Sequence, residues 1–161
     1  MDSQDNTYPL VSVVVPAFNM GERIASSLGS IIGQDYPNIE IIVVNDASTD
    51  ATEKAARRVL EDCGRPFSII THKENRGVSA ARNTGMDVMK GEFVWFMDAD
   101  DMAEHNLVSI LYALIKKYHC NLAFLKIFDI IISDFDINTI PFMYQLRKFM
   151  PFFFLAMLCK G

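Results

Sequence analysis

Up to about residue 120 the apolar positions of this chain alternate between two rhythms. Residues 10–15 form a largely apolar, β-branched run closed by Pro16, the pattern of a strand buried on both faces. Residues 21–32 then place Ile24, Leu28, Ile31 and Ile32 at helical spacing, and a second apolar run over 39–44 follows the turn residues Asp35-Tyr36-Pro37-Asn38. Asp50 and Glu53 make a D-x-x-E capping pattern ahead of a helix over 51–62, with Gly64 positioned for a left-handed stop. A strand over 67–71, a helix over 78–89 stopped at Gly91 and a strand over 93–97 continue the alternation. Asp101 and Glu104 repeat the capping pattern before a helix over 106–118, whose Leu107, Leu111, Leu114 and Tyr118 share one face.

Strands alternating with helices of this length predict an α/β fold: a mostly parallel, Rossmann-like sheet with helices on both faces, since right-handed crossovers place them there. After residue 121 the pattern changes. Eight of the twelve phenylalanines fall between Phe124 and Phe154, and no glycine lies between Gly91 and Gly161. The expected organisation is a polar N-terminal tail over 1–9, a regular α/β unit over 10–120, and an atypical apolar segment over 121–161 that reads as truncated or frame-shifted. The stretch 149–159, broken by Pro151, is apolar but shorter than the roughly 20 residues that cross a bilayer. It is a core segment, a membrane-surface contact or a damaged end.

The 161 residues, half of them apolar, suit one compact unit, and the net charge of −5 argues against coating nucleic acid or an anionic membrane. Small-molecule partners are expected. The N-terminus has neither the basic start nor the apolar stretch of a signal peptide, and Cys63, Cys120 and Cys159 show no zinc or disulfide spacing. Both features point to the cytoplasm, at the face of a membrane if the apolar segment docks there.

In open parallel sheets ligands sit beyond the carboxyl ends of the strands. Four polar segments occupy such places: Pro16–Asn19, Asn45–Asp50, Glu74–Gly77 and Asp98–Asp101. Asp98 and Asp100 stand at i and i+2, so an extended segment presents both carboxylates on one side. Side by side they repel, which Mg²⁺ or Mn²⁺ shared with ligand phosphates would resolve; the plain alternative is a solvated acidic loop. Asp46, ending a buried strand, can accept the imide N–H of uracil or thymine, or else bond the backbone of Ala47 to Thr49 as an Asx-turn. Phe18 offers a face for a base or belongs to the core. Arg76 and Arg82 flank the start of the third helix, where an anion would gain from side chain and dipole, or make surface ion pairs. His72, His105 and His119 share no ligand spacing and read as solvent-facing. Gly29 and Gly33 read as close packing or a helix stop.

Taken together, VSVVVPAFN (11–19), IEIIVVNDASTD (39–50), ENRGVSAARNTG (74–85) and GEFVWFMDADD (91–101) resemble the inverting glycosyltransferases numbered second in sequence classifications. The likeness covers about residues 11–118. It implies a GT-A fold, a UDP-type nucleotide-sugar donor and a divalent cation, Mn²⁺ or Mg²⁺. Phe18 would stack near the uracil and Asp46 would bind its imide, with Arg76 and Arg82 beside the donor. Asp98 and Asp100 would serve ribose and metal, Asp100 being the more direct ligand. The sugar would pass to an acceptor hydroxyl, on a glycan or a lipid-linked molecule, with inversion.

Similar enzymes keep the general base in an acceptor half beyond the D-x-D. Asp129, Asp134 and Asp136, the carboxylates downstream of Glu104, match no such motif, so no base is assigned. A chain that binds UDP or a UDP-sugar without turning it over is therefore the alternative reading, and its uncovered apolar segment predicts self-association. A nucleotidyltransferase or a dinucleotide-binding dehydrogenase would need a glycine-rich first turn, which 16–21 does not supply.

Overall fold

The computed structural model describes residues 8–119, together with the backbone of 122–126, 129–133 and 155–159. In chain order the elements are β1 (Val11–Ala17), α1 (Ile24–Ile32), β2 (Ile39–Asn45), α2 (Thr52–Leu60), β3 (Phe67–Thr71), α3 (Val78–Val88), β4 (Phe93–Phe96), α4 (Leu107–Tyr118), β5 (Leu122–Lys126), β6 (Asp129–Ser133) and β7 (Leu155–Cys159). They form one sheet in the order β3-β2-β1-β4-β7-β5-β6. The first four strands are parallel, and β7, β5 and β6 extend the β4 edge by antiparallel pairing.

The chain steps from β1 outward to β2 and β3, then returns through α3 to pair β4 against the other side of β1. The order of strands therefore reverses between β1 and β4, and a crevice opens outside their carboxyl ends. Alternate residues of the buried strands face two cores. On one face Val11, Val13 and Val15 pack with Ile41, Trp95 and the apolar stripes of α1, α2 and α4; on the other, Val14, Ile42, Val44 and Phe96 pack with α3. The approach of α3 depends on Gly85, where an added Cβ would lie 2.3 Å from Val14 Cγ1.

Pro16 does not end the first strand, which runs on to Ala17 beside Val44 and Asn45 of β2. Its missing N–H costs nothing there: alternation turns that position toward β4, where pairing has already stopped at Val14. The capping pattern at Asp101 and Glu104 is not used either. Helix α4 starts at Leu107, and its Val108 N–H is taken by Gln34 Oε1 at 3.0 Å, a cap supplied from the end of α1. Asp50 does accept the Thr52 N–H at the start of α2, but Glu53 turns to Arg57 and Thr71 instead of closing the box. Gly64 takes the expected left-handed conformation at φ 68°, and Gly33 is the stop of α1.

Arg65 fixes the far end of α1. Its guanidinium donates to the carbonyl of Ile32, left open by the helix end, at 3.2 Å, and to those of Gln34 and Tyr36 in the loop that follows at 2.6 and 3.0 Å. Within 121–161, the segment Leu155–Cys159 lies inside the sheet between β4 and β5; residues 149–154 and the tail 1–7 are outside the described residues. Among the described residues no helix is long and apolar enough to cross a membrane.

Candidate functional site

The loops after β1, β2 and β4 and the start of α3 enclose a cleft of about 340 Å³ at the point where strand order reverses. Phe18, Asp46, Asp98 and Asp100 all line it, with Asn75, Gly77 and Ala81 from the α3 side. Among the described residues Phe18 joins no core cluster, and it is exposed, so its ring is available to a flat ligand.

Two loops are stitched to each other before any ligand is considered. Asn19, at φ 53°, accepts the Thr49 N–H at 2.9 Å, its own N–H reaches Ser48 Oγ at 3.0 Å, and the Gly21 N–H reaches Asp50 Oδ2 at 2.9 Å. The side-chain contact that closes the loop after β2 is made by Asn45, whose Oδ1 accepts the Ser48 N–H three residues on at 3.1 Å. Asp46 is thereby left for another task.

Asp46 is buried, and its carboxylate is gripped from the opposite side of the cleft. Oδ1 accepts from His72 Nδ1 at 2.7 Å and from the Arg76 N–H at 2.9 Å; Oδ2 accepts from the Gly77 N–H at 2.7 Å. Burial works against the ionised form, but these donors outweigh it and hold the carboxyl below its ordinary range. Gly77 serves here by its backbone, at φ 84°, a conformation that side chains disfavour. His72 is therefore not solvent-facing: it is buried between Asp46 and Thr84, whose Oγ1 lies 2.9 Å from Nε2. The sequence concealed this because the two partners are 26 and 12 residues away. His105 and His119 are exposed as expected.

Arg82, in the second turn of α3, donates to Asp98 Oδ1 at 2.7 Å and lies over the Phe96 ring. Arg76 contributes its N–H to Asp46 while its side chain stands exposed at the surface. Asp100 is half-exposed, and its nearest cation among the described residues is Arg23, 3.6 Å away and itself largely in solvent. Asp101 does not cap a helix; burial, then the charges of Asp98 and Asp100, push its carboxyl upward. The whole acidic turn is pinned to α1, with Ser27 Oγ donating to the Asp98 carbonyl and Ser30 Oγ accepting the Ala103 N–H.

Among the described residues no three His, Cys, Asp or Glu side chains gather around a point that could hold an ion. Residues 98–101 form a turn, closed by the Asp101 N–H on the Asp98 carbonyl, instead of the expected extended segment; Asp100, met among the described residues by the exposed Arg23, and Asp98 are the carboxylates available to Mg²⁺ or Mn²⁺, which takes one or two when phosphates and water complete its shell. The donor set fits such a cation when a phosphorylated ligand is present. Of the downstream carboxylates, Asp129 opens β6, and Asp134 and Asp136 lie outside the described residues.

The family described as Glycosyl transferase family 2 matches residues 12–160. Among characterised sequences, glycosyltransferase GlyA of Streptococcus pneumoniae is 43% identical over 113 residues, covering 70% of this chain and 16% of the relative. Glycosyltransferase GlyG of the same organism is 37% identical, over 67% of this chain and 36% of its own length. The crystal structure of S. aureus TarS in complex with UDP superposes with a TM-score of 0.65 at 29% identity, over 70% of this chain and 34% of that one. The mannosyltransferase PcManGT from Pyrobaculum calidifontis, in complex with GDP-Man and Mn²⁺, gives 0.68 at 30% identity, over 73% and 35%. The chain thus spans about a third or less of the length of these relatives, and the shared architecture is GT-A.

Proposed function

Because the chain belongs to glycosyl transferase family 2, we propose that residues 10–120 bind the donor for transfer of a sugar from a UDP-type nucleotide-sugar to an acceptor hydroxyl, assisted by a divalent cation and with inversion. The observation that carries this reading is the meeting of Phe18, Asp46, Asp98 and Asp100 in one cleft at the switch point of the sheet. Phe18 stacks on the base, and Asp46 accepts the imide N–H that uracil presents and cytosine lacks. Asp98, neutralised on one oxygen by Arg82, keeps its other oxygen for ribose hydroxyls. Asp100 carries the carboxylate for Mn²⁺ or Mg²⁺. The chemistry supplied by the bound cation is neutralisation of negative charge on the departing diphosphate.

In the transfer itself the acceptor oxygen bonds to the anomeric carbon from the side opposite the nucleotide, and the bond to the diphosphate oxygen breaks. The acceptor proton needs a base, and none of the cleft carboxylates serves, each being committed to the donor. The experiment is hydrolysis and transfer from radiolabelled UDP-sugars with Mn²⁺ and with EDTA. Metal-dependent release of UDP supports transfer; tight UDP binding without any release supports the binding-only reading; the absence of both removes the proposal.

A further inference from the structure

The geometry points to His72 as a positioning residue that sets the base selectivity of the cleft, acting through Asp46. This deepens the proposed function and rests on its reading of Asp46 as the imide acceptor. A carboxylate is acceptor-only, so the hydrogen in the 2.7 Å contact with Asp46 Oδ1 belongs to His72 Nδ1. In the neutral ring Nε2 is then the acceptor, and the Thr84 hydroxyl donates to it at 2.9 Å, holding the ring in place from α3.

Each carboxylate oxygen has two acceptor positions. Oδ1 is filled by His72 and the Arg76 N–H, and Oδ2 is half filled by the Gly77 N–H. Among the described residues nothing fills the remaining acceptor position, on Oδ2, in a side chain that lines the cleft. Asp46 is thus reduced to a single acceptor presented in a fixed orientation. A uracil imide N–H satisfies it; the unprotonated ring nitrogen of cytosine sets lone pair against lone pair. With His72 removed, Oδ1 regains an open position and the carboxylate can turn, so the discrimination should fall even where stacking and phosphate contacts persist. A clamp that merely held the 72–77 loop in place would affect every nucleotide alike.

The test is calorimetric titration of UDP and CDP, each with Mn²⁺, into the 161-residue chain and its variants. His72→Asn keeps an N–H close to the place of Nδ1, whereas His72→Gln moves it to the place of Nε2. The expected result is a UDP/CDP affinity ratio in His72→Asn within about twofold of the unaltered chain, and a drop of about tenfold in His72→Gln and His72→Leu, since one charge-assisted hydrogen bond carries that much discrimination. Should His72→Leu fail to fold cooperatively, the Asn–Gln pair carries the test. Equal ratios in all variants, or parallel losses of UDP and CDP affinity, would overturn the role of His72. If the unaltered chain itself binds UDP and CDP alike, the reading of Asp46 fails first, and the two failures are told apart.

Discussion

Arg82 Nη2 lies 2.7 Å from Asp98 Oδ1, while Asp100, two residues along, meets only the solvent-exposed Arg23 at 3.6 Å among the described residues. The two carboxylates of one D-x-D are therefore electrostatically unequal: one is matched to a partly buried guanidinium, the other is open. Removing Arg82 should disturb the side of the site that needs no cation. Arg82→Ala is expected to weaken UDP binding by about fivefold to tenfold, equally with and without Mn²⁺, the scale of one charged hydrogen bond. A loss confined to titrations containing Mn²⁺ would show that Arg82 acts on the metal instead.

Asp46 makes acid stability depend on one buried carboxylate. Its folded value lies below the ordinary 3.8, so its contribution is complete above the unfolded value and disappears as pH falls through the lower folded one. Asp46→Asn should cost about 1–3 kcal/mol near pH 7 by leaving the donors of Arg76, Gly77 and His72 poorly matched. Urea unfolding of both proteins at several pH values measures the gap, which should narrow as pH falls below the ordinary carboxylate range; a gap independent of pH would mean that Asp46 is not held as the anion.

Two glycines in helices have opposite expected responses to the same substitution. A Cβ at Gly29 meets nothing within 4 Å, so Gly29→Ala should stabilise by about 0.5–1 kcal/mol through helix propensity. A Cβ at Gly85 would collide with Val14 at 2.3 Å, and Gly85→Ala should destabilise by about 1–3 kcal/mol by forcing α3 off the sheet. Thermal unfolding ranks the pair, and the reverse order would contradict the packing of α3 on β1.

Arg65 separates fold from site. It serves the carbonyls of Ile32, Gln34, Tyr36 and Pro37, at the end of α1 and in the loop after it, remote from the cleft, so Arg65→Met should lower stability by about 2 kcal/mol and leave the affinity for UDP unchanged. A proportionate loss of UDP affinity in folded protein would tie this helix end to the cleft.

What could be read from the chain follows from how local each signal is. The runs 10–15, 39–44, 67–71 and 93–97 announce four strands, and the polar residues after them could be assigned to one edge because parallel strands end together. That reasoning delivered Phe18, Asp46, Asp98 and Asp100 to the cleft. It could not deliver His72, whose partners come from the end of β2 and from α3, or Arg65, which reaches back some thirty residues to α1. The capping pattern at Asp101 misled because a D-x-x-E is short: α4 begins only at Leu107, and its Val108 N–H is taken by Gln34, 74 residues earlier. Pro16 misled for the opposite reason: its lack of an N–H matters only where a neighbour needs one.

The claim on which the rest depends is that this cleft holds a nucleoside diphosphate together with a cation on Asp100. It is tested most directly by calorimetric titration of UDP into the chain and into Asp100→Ala, with Mn²⁺ and with EDTA. The expected result is UDP binding strengthened at least about tenfold by Mn²⁺ in the unaltered chain, with that enhancement lost in Asp100→Ala while the weaker, metal-free binding persists. Equal enhancement in both proteins, or no binding of UDP by either, would contradict it.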